Sequence, residues 1–202
     1  MAFSYEMTGR FADLAREIGQ SRAPAETRIV GIDGCGGSGK STFADQLSKH
    51  LDGAPILHTD DFASWDVPVD WWPRMKEQVI DPLAQGRQAR WQRYDWEKDE
   101  LAEWHTLEPG GTVIIEGVTA TRIEWRDQLA YSIWVECPRE IRLRRGLERD
   151  GQEALTQWES CMAAEDAYVS VQAPRERADL VVSGAPDQAL GPDEFPRLSA
   201  SS

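Results

Sequence analysis

The chain has 202 residues, a formal net charge of −13 and a sequence pI near 4.7, and a chain of this length predicts a single domain over residues 1–202. The acidic balance argues against nucleic acid as a partner, because that binding depends on cations that neutralise phosphates. No apolar run is long enough to span a membrane and no signal-peptide pattern opens the chain, so we expect a cytoplasmic protein. We expect its partner to be a small molecule. The composition does not indicate the oligomeric state.

Short apolar runs alternate with longer helical segments, and this alternation predicts a parallel sheet covered by helices. The runs are nearly all apolar, as in strands buried on both faces. The expected tail, about 184–202, is rich in proline and is predicted to be loose. Five strands are expected at 28–33, 55–58, 112–116, 131–136 and 179–182, and helices at 9–18, 40–51, 73–85, 139–149 and 155–169.

The first predicted strand leads directly into the glycine-rich segment GCGGSGKST at residues 34–42. The spacing GxxxxGKS is that of a phosphate loop, in which glycines let main-chain N–H groups approach phosphate oxygens at the start of a helix. Lys40 is expected to reach the β and γ phosphates of ATP, and the Ser41 hydroxyl to ligate Mg²⁺. A turn without a ligand is the alternative. The candidate ATP-binding residues are Gly34, Gly36, Gly37, Ser38, Gly39, Lys40, Ser41 and Thr42.

The second predicted strand ends in His58, Thr59, Asp60 and Asp61, which places two carboxylates beside the phosphate loop. Asp60 is the candidate catalytic base for a substrate hydroxyl, or a group that helps to hold Mg²⁺. Acids at a turn are often helix caps, and this alternative stays open for Asp61.

The stretch from 65 to 104 interleaves tryptophans with carboxylates. Such a mixture suits a cleft that stacks on a planar or sugar ligand and accepts hydrogen bonds from its hydroxyls. We therefore predict an acceptor-site insertion at about 60–107, although the rings could instead form a small core for the insertion. The candidate acceptor-binding residues at this stage are Asp61, Trp65 and Trp96.

The third predicted strand ends in Glu116 and Gly117, and an acid at this position faces the Mg²⁺ region as a Walker B carboxylate does. Further along, residues 139–150 concentrate arginines in an acidic chain. Arg145 and Arg149 share one helix face, so we expect both to contact the transferring phosphate from a lid at about 139–158. A solvated charged helix face is the alternative reading of this cluster.

The cysteines and histidines predict no metal centre. Cys35, Cys137 and Cys161 are scattered and are expected to be free thiols, with Cys35 inside the phosphate loop. The three histidines lack ligand spacing, so a zinc site is not expected.

Several of these segments, in this order, resemble the uridine kinase and phosphoribulokinase family of P-loop kinases. The resemblance implies a three-layer α/β P-loop NTPase fold with a five-stranded parallel sheet, ATP and Mg²⁺ as cofactors, and Asp60 as the base. The matching segments are the phosphate loop; TDDF at 59–62, similar to QDSF; YDW at 94–96, similar to YDF; VIIEGV at 113–118, similar to VVLFEGI; 142–150, similar to RLxRRxxRD; and ADLVV at 178–182, similar to YADVIIP. The YDF segment of the family contacts the nucleoside, so the resemblance adds Tyr94 to the candidate acceptor-binding residues.

The chain departs from that family around the acceptor. EKDEL at 97–101 replaces the histidine and arginine that follow YDF, Ala63 replaces the tyrosine after QDSF, and no RGRD-like segment follows Asp150. The resemblance therefore predicts the donor half of a kinase without naming its acceptor.

The sequence predicts an ATP- and Mg²⁺-dependent phosphotransferase that acts on a hydroxyl of a nucleoside or a sugar-like compound. One alternative is an ATP-driven switch that acts on a protein partner; a GTPase switch is disfavoured because the chain contains no asparagine for an NKxD segment. The other alternative is a nucleoside monophosphate kinase. Its acceptor is an anion and would require arginines, whereas residues 65–104 contain few arginines and many acids.

Overall fold

The computed structural model describes residues 5–64 and 70–198. Its strands are β1 Tyr5–Arg10, β2 Arg28–Asp33, β3 Ile56–His58, β4 Ala89–Asp95, β5 Glu100–Leu107, β6 Thr112–Glu116, β7 Tyr131–Glu136, β8 Leu180–Ser183 and β9 Glu194–Leu198. Its α-helices are α1 Phe11–Gln20, α2 Lys40–His50, α3 Trp72–Met75, α4 Asp81–Ala84, α5 Arg139–Asp150, α6 Leu155–Gln172 and α7 Pro174–Arg177, with a π turn Lys76–Ile80 and short 3₁₀ turns between them.

The central sheet contains the five predicted strands in parallel. Its order is β1-β9-β8-β7-β2-β6-β3, and the five strands from β8 to β3 all run in one direction. The neighbours of β2 are β6 on one side and β7 on the other, so connections diverge at its carboxyl end. This is the point where ligands bind in open α/β sheets.

Helices cover both faces of the sheet, as the predicted three-layer fold requires. Val30 and Ile32 face α1 and α2 and pack with Phe43 in one buried cluster. Ile29 points to the opposite face and packs with Met75 and other residues of the α3 to α4 region in a second cluster. The alternation along β2 thus assigns its side chains to two cores, and both faces need apolar residues.

The predicted helix at 73–85 is interrupted by a π turn. Residues 72–75 and 81–84 are α-helical, and residues 76–80 between them are π-helical. Pro82 lacks an N–H group and cannot donate the regular i to i−4 bond, which favours such a shift in the hydrogen-bond ladder.

The prediction of a loose tail is wrong for residues 194–198. These residues form β9, which pairs antiparallel with β1 and also joins the edge of the sheet at β8. Phe195 is buried, and its ring centroid lies 5.1 Å from that of Phe11. The prolines obscured this short strand, because proline lacks the N–H group that a strand donates to its neighbour.

Three further strands are absent from the predicted set. β1 occupies residues where the helix was expected to begin, and β4 and β5 form a separate antiparallel hairpin inside the Trp-rich stretch. Within residues 5–64 and 70–198, no helix is long and apolar enough to cross a membrane.

Candidate functional site

The phosphate loop connects β2 to α2 at the divergence point of the sheet. Gly37 and Gly39 adopt φ angles of 75° and 93°, which are favourable for glycine. Gly39 is the N-cap of α2, and no side chain in the described part of the chain caps that helix. The first N–H groups of α2 therefore remain for an anion, and they carry the positive end of the helix dipole.

Asp33, which ends β2, fixes the base of this loop and was not identified from the sequence. Its carboxylate is fully buried and accepts hydrogen bonds from the main-chain N–H groups of Gly34, Thr119 and Thr121, the last two at 2.9 Å. The hydroxyl of Tyr168 in α6 also donates to it, at 2.6 Å. The sequence signal was an acid at the end of an apolar strand, directly before the glycines.

Ser41 and Glu116 meet beside the loop, as predicted for a Mg²⁺ region. The Ser41 hydroxyl donates to Glu116 Oε1 at 3.1 Å, and His58 Nδ1 lies 2.8 Å from Glu116 Oε2. Burial on its own would raise the pKa of Glu116, but the His58 hydrogen bond and the charge of Lys40 hold it below the ordinary value. Glu116 is thus an anion at neutral pH, and its partner His58 has a raised pKa because of the same hydrogen bond.

The donor set fits Mg²⁺ bound together with a triphosphate. The Ser41 hydroxyl donates its hydrogen bond to Glu116, which leaves the lone pairs of the hydroxyl oxygen for a cation, and hard oxygen ligands are those that Mg²⁺ prefers. Among the described residues no group of three or more His, Cys, Asp or Glu could hold a metal ion unaided. A Mg²⁺ ion here would accordingly depend on phosphate and water oxygens as well.

Asp60 lies in a 3₁₀ turn directly after β3, at the edge of the same cleft. The turn packs closely against the segment after β6. Gly117 leaves no room for a side chain there, since an added Cβ would collide with the Thr59 side chain. The Asp60 side chain is exposed at the cleft, but the surrounding protein desolvates its carboxyl and raises the pKa, while the charges of Lys40 and His58 oppose the rise. Such a carboxyl is a better proton acceptor than an ordinary aspartate.

The raised pKa of Asp60 predicts where activity is lost at low pH, which is the acid limb of the pH profile. A base must be ionised, so kcat/KM for the acceptor should fall as pH drops through the pKa of Asp60, above the ordinary value of 3.8. Replacing His58 with Gln removes a positive charge that lowers this pKa, so the limb should move to higher pH. Rates measured from pH 4 to 8, at roughly saturating ATP, test this; an unmoved limb in H58Q would mean that the titrating group is not Asp60.

The two predicted lid arginines lie at the cleft in different settings. Arg145 donates to the carbonyl oxygens of Gly37 at 3.1 Å and Gly184 at 3.0 Å, so it joins the phosphate loop to the segment after β8. Arg149 is exposed, pairs with Asp150 at 2.7 Å and stacks over Trp158. Their contact with a transferring phosphate remains a prediction.

The predicted acceptor residues divide between the cleft and its support. Trp96 lines the cleft, and its indole N–H donates to the carbonyl oxygen of Asp60 at 3.2 Å. Tyr94 is buried edge-on against Trp96, with ring centroids 5.2 Å apart. Asp61 accepts a bond from the buried Trp91 at 3.0 Å. Trp65 lies outside the described residues.

The Trp-rich stretch supplies side chains to the second core cluster and also side chains that line the cleft. Trp91 stacks between Phe62 and His105 and packs in the second core cluster. Trp71, which we did not select from the sequence, is buried and also lines the cleft. The core interpretation thus applies to Trp91, and acceptor binding by the rings that line the cleft remains a prediction.

One cleft of about 1630 Å³ joins these groups. The phosphate loop and Arg145 line it, and so do Asp60, Trp71 and Trp96. Cys35 is buried beneath the loop, and burial raises the pKa of its thiol to about 12, so it is an inert packing residue at neutral pH. The arrangement is suited to hold a phosphorylated ligand and a second molecule in contact.

Comparison with known proteins agrees with this geometry. Residues 30–174 match a family described as AAA domain. The chain belongs to the AAA domain family. A uridine kinase of Halobacterium salinarum is 27% identical over 179 residues, which cover 76% of this chain and 78% of that protein. A uridine kinase of Macrococcus caseolyticus is 26% identical over 74% of this chain and 80% of its own length.

Solved structures show the same fold. A possible uridine kinase from Bacillus stearothermophilus matches with a TM-score of 0.64 and 26% identity, over 85% of this chain and 96% of that one. A putative fructose transport system kinase from a Silicibacter species gives a TM-score of 0.61 at 21% identity, over 79% and 95%. The resemblance to uridine kinases and the P-loop fold predicted from the sequence are confirmed, and this AAA domain protein is a P-loop small-molecule kinase.

Proposed function

We propose that the protein transfers the γ-phosphoryl group of ATP, with Mg²⁺, to a hydroxyl of an uncharged, ring-containing small molecule such as a nucleoside or a sugar-like compound. The observation that supports this most strongly is the shared cleft. The phosphate loop lies on the same cavity as Asp60 and the aromatic residues Trp71 and Trp96. A donor site and an acceptor site side by side are what direct phosphoryl transfer requires.

In this proposal each side chain has a defined task. Lys40 and the N–H groups at the start of α2 bind the phosphates and stabilise the charge that develops on them. Asp60 accepts the acceptor's hydroxyl proton as the oxygen forms its bond to phosphorus and the bond to the leaving ADP breaks. Ser41 and Glu116 would hold Mg²⁺, which would neutralise negative charge on the phosphates.

The acceptor class follows from the wall of the cleft. Trp96 offers an aromatic surface for a ring, and the largely buried Trp71 lines the same cavity. Asp60, Asp150 and Glu153 line the cavity with hydrogen-bond acceptors for hydroxyl groups. Such a wall disfavours an acceptor that already carries a phosphate. The relatives named uridine kinase support a nucleoside, while EKDEL at 97–101, in place of the family's histidine and arginine, leaves pyrimidine specificity open.

A panel of acceptors tests the proposal. ADP release from Mg·ATP should rise well above the basal rate with at least one unphosphorylated nucleoside or polyhydroxylated ring compound. Nucleoside monophosphates, tested beside them, should stimulate less. Release that no small molecule stimulates, but a protein partner does, would favour the ATP-driven switch instead.

Replacing Trp96 with Ala should raise KM for the acceptor by about threefold to tenfold, because a stacked ring contributes roughly 0.5–1.5 kcal/mol beyond its buried area. KM for ATP should not change. Trp104 provides the matched control, since it lies on the outer hairpin strand β5, is 49% exposed and stacks on Arg90. An effect of W96A on ATP alone, or an equal effect of W104A, would remove Trp96 from the acceptor site.

A further inference from the structure

One face of α6 contacts the phosphate loop from below. Trp158, Glu165 and Tyr168 lie on this face, spaced seven and three residues apart as neighbouring turns of a helix require. Tyr168 bonds Asp33 at the start of the loop, and the Trp158 ring packs against Gly146 of α5 and near Gly36. The predicted lid region thus continues into a helix that supports the loop.

Glu165 makes the most direct of these contacts. Its Oε1 accepts the main-chain N–H of Gly36 at 2.8 Å, across 129 positions of sequence. Its Oε2 pairs with Arg142 Nη1 at 2.9 Å, and Arg142 Nε donates to the carbonyl oxygen of Cys137 at 3.3 Å. Glu165 and Arg142 are each only 6% exposed. A carboxylate buried beside an anion site needs such a partner, because unpaired it would repel phosphate.

The same contacts explain two glycines that the phosphate-loop motif does not require. A Cβ on Gly36 would lie 3.0 Å from Glu165 Oε1, and one on Gly37 would lie 2.7 Å from the carbonyl oxygen of Arg142. The tip of the loop is therefore packed against α5 and α6 without room for a side chain. The conformation of the loop tip therefore depends on the position of the Glu165–Arg142 pair.

We propose that Glu165, neutralised and oriented by Arg142, is a positioning residue that sets the conformation of the phosphate loop for nucleotide binding. The inference rests on the proposed function, since it assigns a role in binding ATP. By engaging the Gly36 N–H, Glu165 fixes one end of the loop tip, while the Ser38 N–H bonds the carbonyl oxygen of Cys35 at 3.1 Å. The N–H groups of Gly37, Gly39 and Lys40 are left to converge on the phosphates. The pair acts through the loop and touches no reacting atom.

The test compares three variants that separate positioning from stability. Glu165→Gln keeps the size of the side chain but removes its charge. The double variant Arg142→Met with Glu165→Met replaces the buried pair by apolar side chains, a change that often preserves or raises stability. Asp166→Asn is the matched control, because Asp166 pairs with Arg139 at 2.6 Å between the same two helices, at the surface and away from the loop.

Affinity for a non-hydrolysable ATP analogue with Mg²⁺ is measured by calorimetry, and unfolding in guanidinium confirms that each variant is folded. We expect E165Q and the double variant to bind the analogue about tenfold or more weakly than the wild type, and D166N to remain within about twofold. Wild-type affinity in the stable double variant would overturn the proposal and leave the kinase function intact. Failure of the wild type and D166N to bind would instead contradict the proposed function, and this inference with it.

Discussion

Replacing Asp60 with Asn is expected to reduce kcat by about 10²–10⁴-fold, the usual contribution of a positioned general base. Asn has the shape of Asp but cannot accept the hydroxyl proton. The turn that carries residue 60 should persist, because Thr59 packs against Gly117 and the main-chain oxygen of Asp60 accepts the bond from Trp96. Affinity for a non-hydrolysable ATP analogue should not weaken.

Asp45→Asn is the control for this variant, since Asp45 lies on the exposed surface of α2 and does not line the cleft. Steady-state rates and analogue affinity would be measured for both proteins. Near-normal kcat in D60N would exclude Asp60 as the base. A loss of analogue binding equal to the loss of rate would instead assign Asp60 to the metal region alone.

Replacing Lys40 with Ala should weaken both ATP binding and turnover. Lys40 is the first residue of α2 and lines the cleft next to Ser41. A charge-assisted hydrogen bond to phosphate is worth roughly 1.5–3 kcal/mol, so affinity for the analogue should fall about tenfold to 100-fold. Because charge grows on the phosphates in the transition state, kcat should fall by a further factor of about 100.

Lys49→Ala tests whether the loss of any α2 lysine has this effect. Lys49 lies in the last turn of the same helix, exposed, and bonds only Gln46 among the contacts described for its side chain. It should behave as the wild type. Equal losses in both variants, or no loss in K40A, would mean that the phosphate loop does not bind nucleotide as proposed.

The parts of the fold that could be predicted are those that local pattern dictates. β2, β6 and β7 coincide with the predicted runs, because strands buried on both faces must be nearly all apolar. The placement of Asp60 and Glu116 near one another followed from a simple rule, since the carboxyl ends of parallel strands meet at one edge of the sheet. The structure pairs His58 with Glu116 across β3 and β6.

The parts that could not be predicted depend on contacts between distant segments. Glu165 reaches Gly36 because α6 packs beneath the loop, and no local pattern in α6 marks that residue. Arg142 belongs to a run of arginines that the sequence does not distinguish from one another, yet in the structure it lies on the buried face of α5 and pairs with the carboxylate of Glu165. The strand β9 gains its stability from β1 at the other end of the chain, so its own short sequence with Pro196 gave no signal.

The direct measurement of the central claim is the destination of the γ-phosphoryl group. The enzyme would be incubated with Mg²⁺ and ATP labelled in the γ position, together with an acceptor that stimulates ADP release, and the labelled products would be separated. We predict that the label appears in the acceptor in about one-to-one proportion with ADP, and that D60N abolishes the transfer. Label found only in inorganic phosphate, with the acceptor unmodified, would contradict the account and identify a hydrolase.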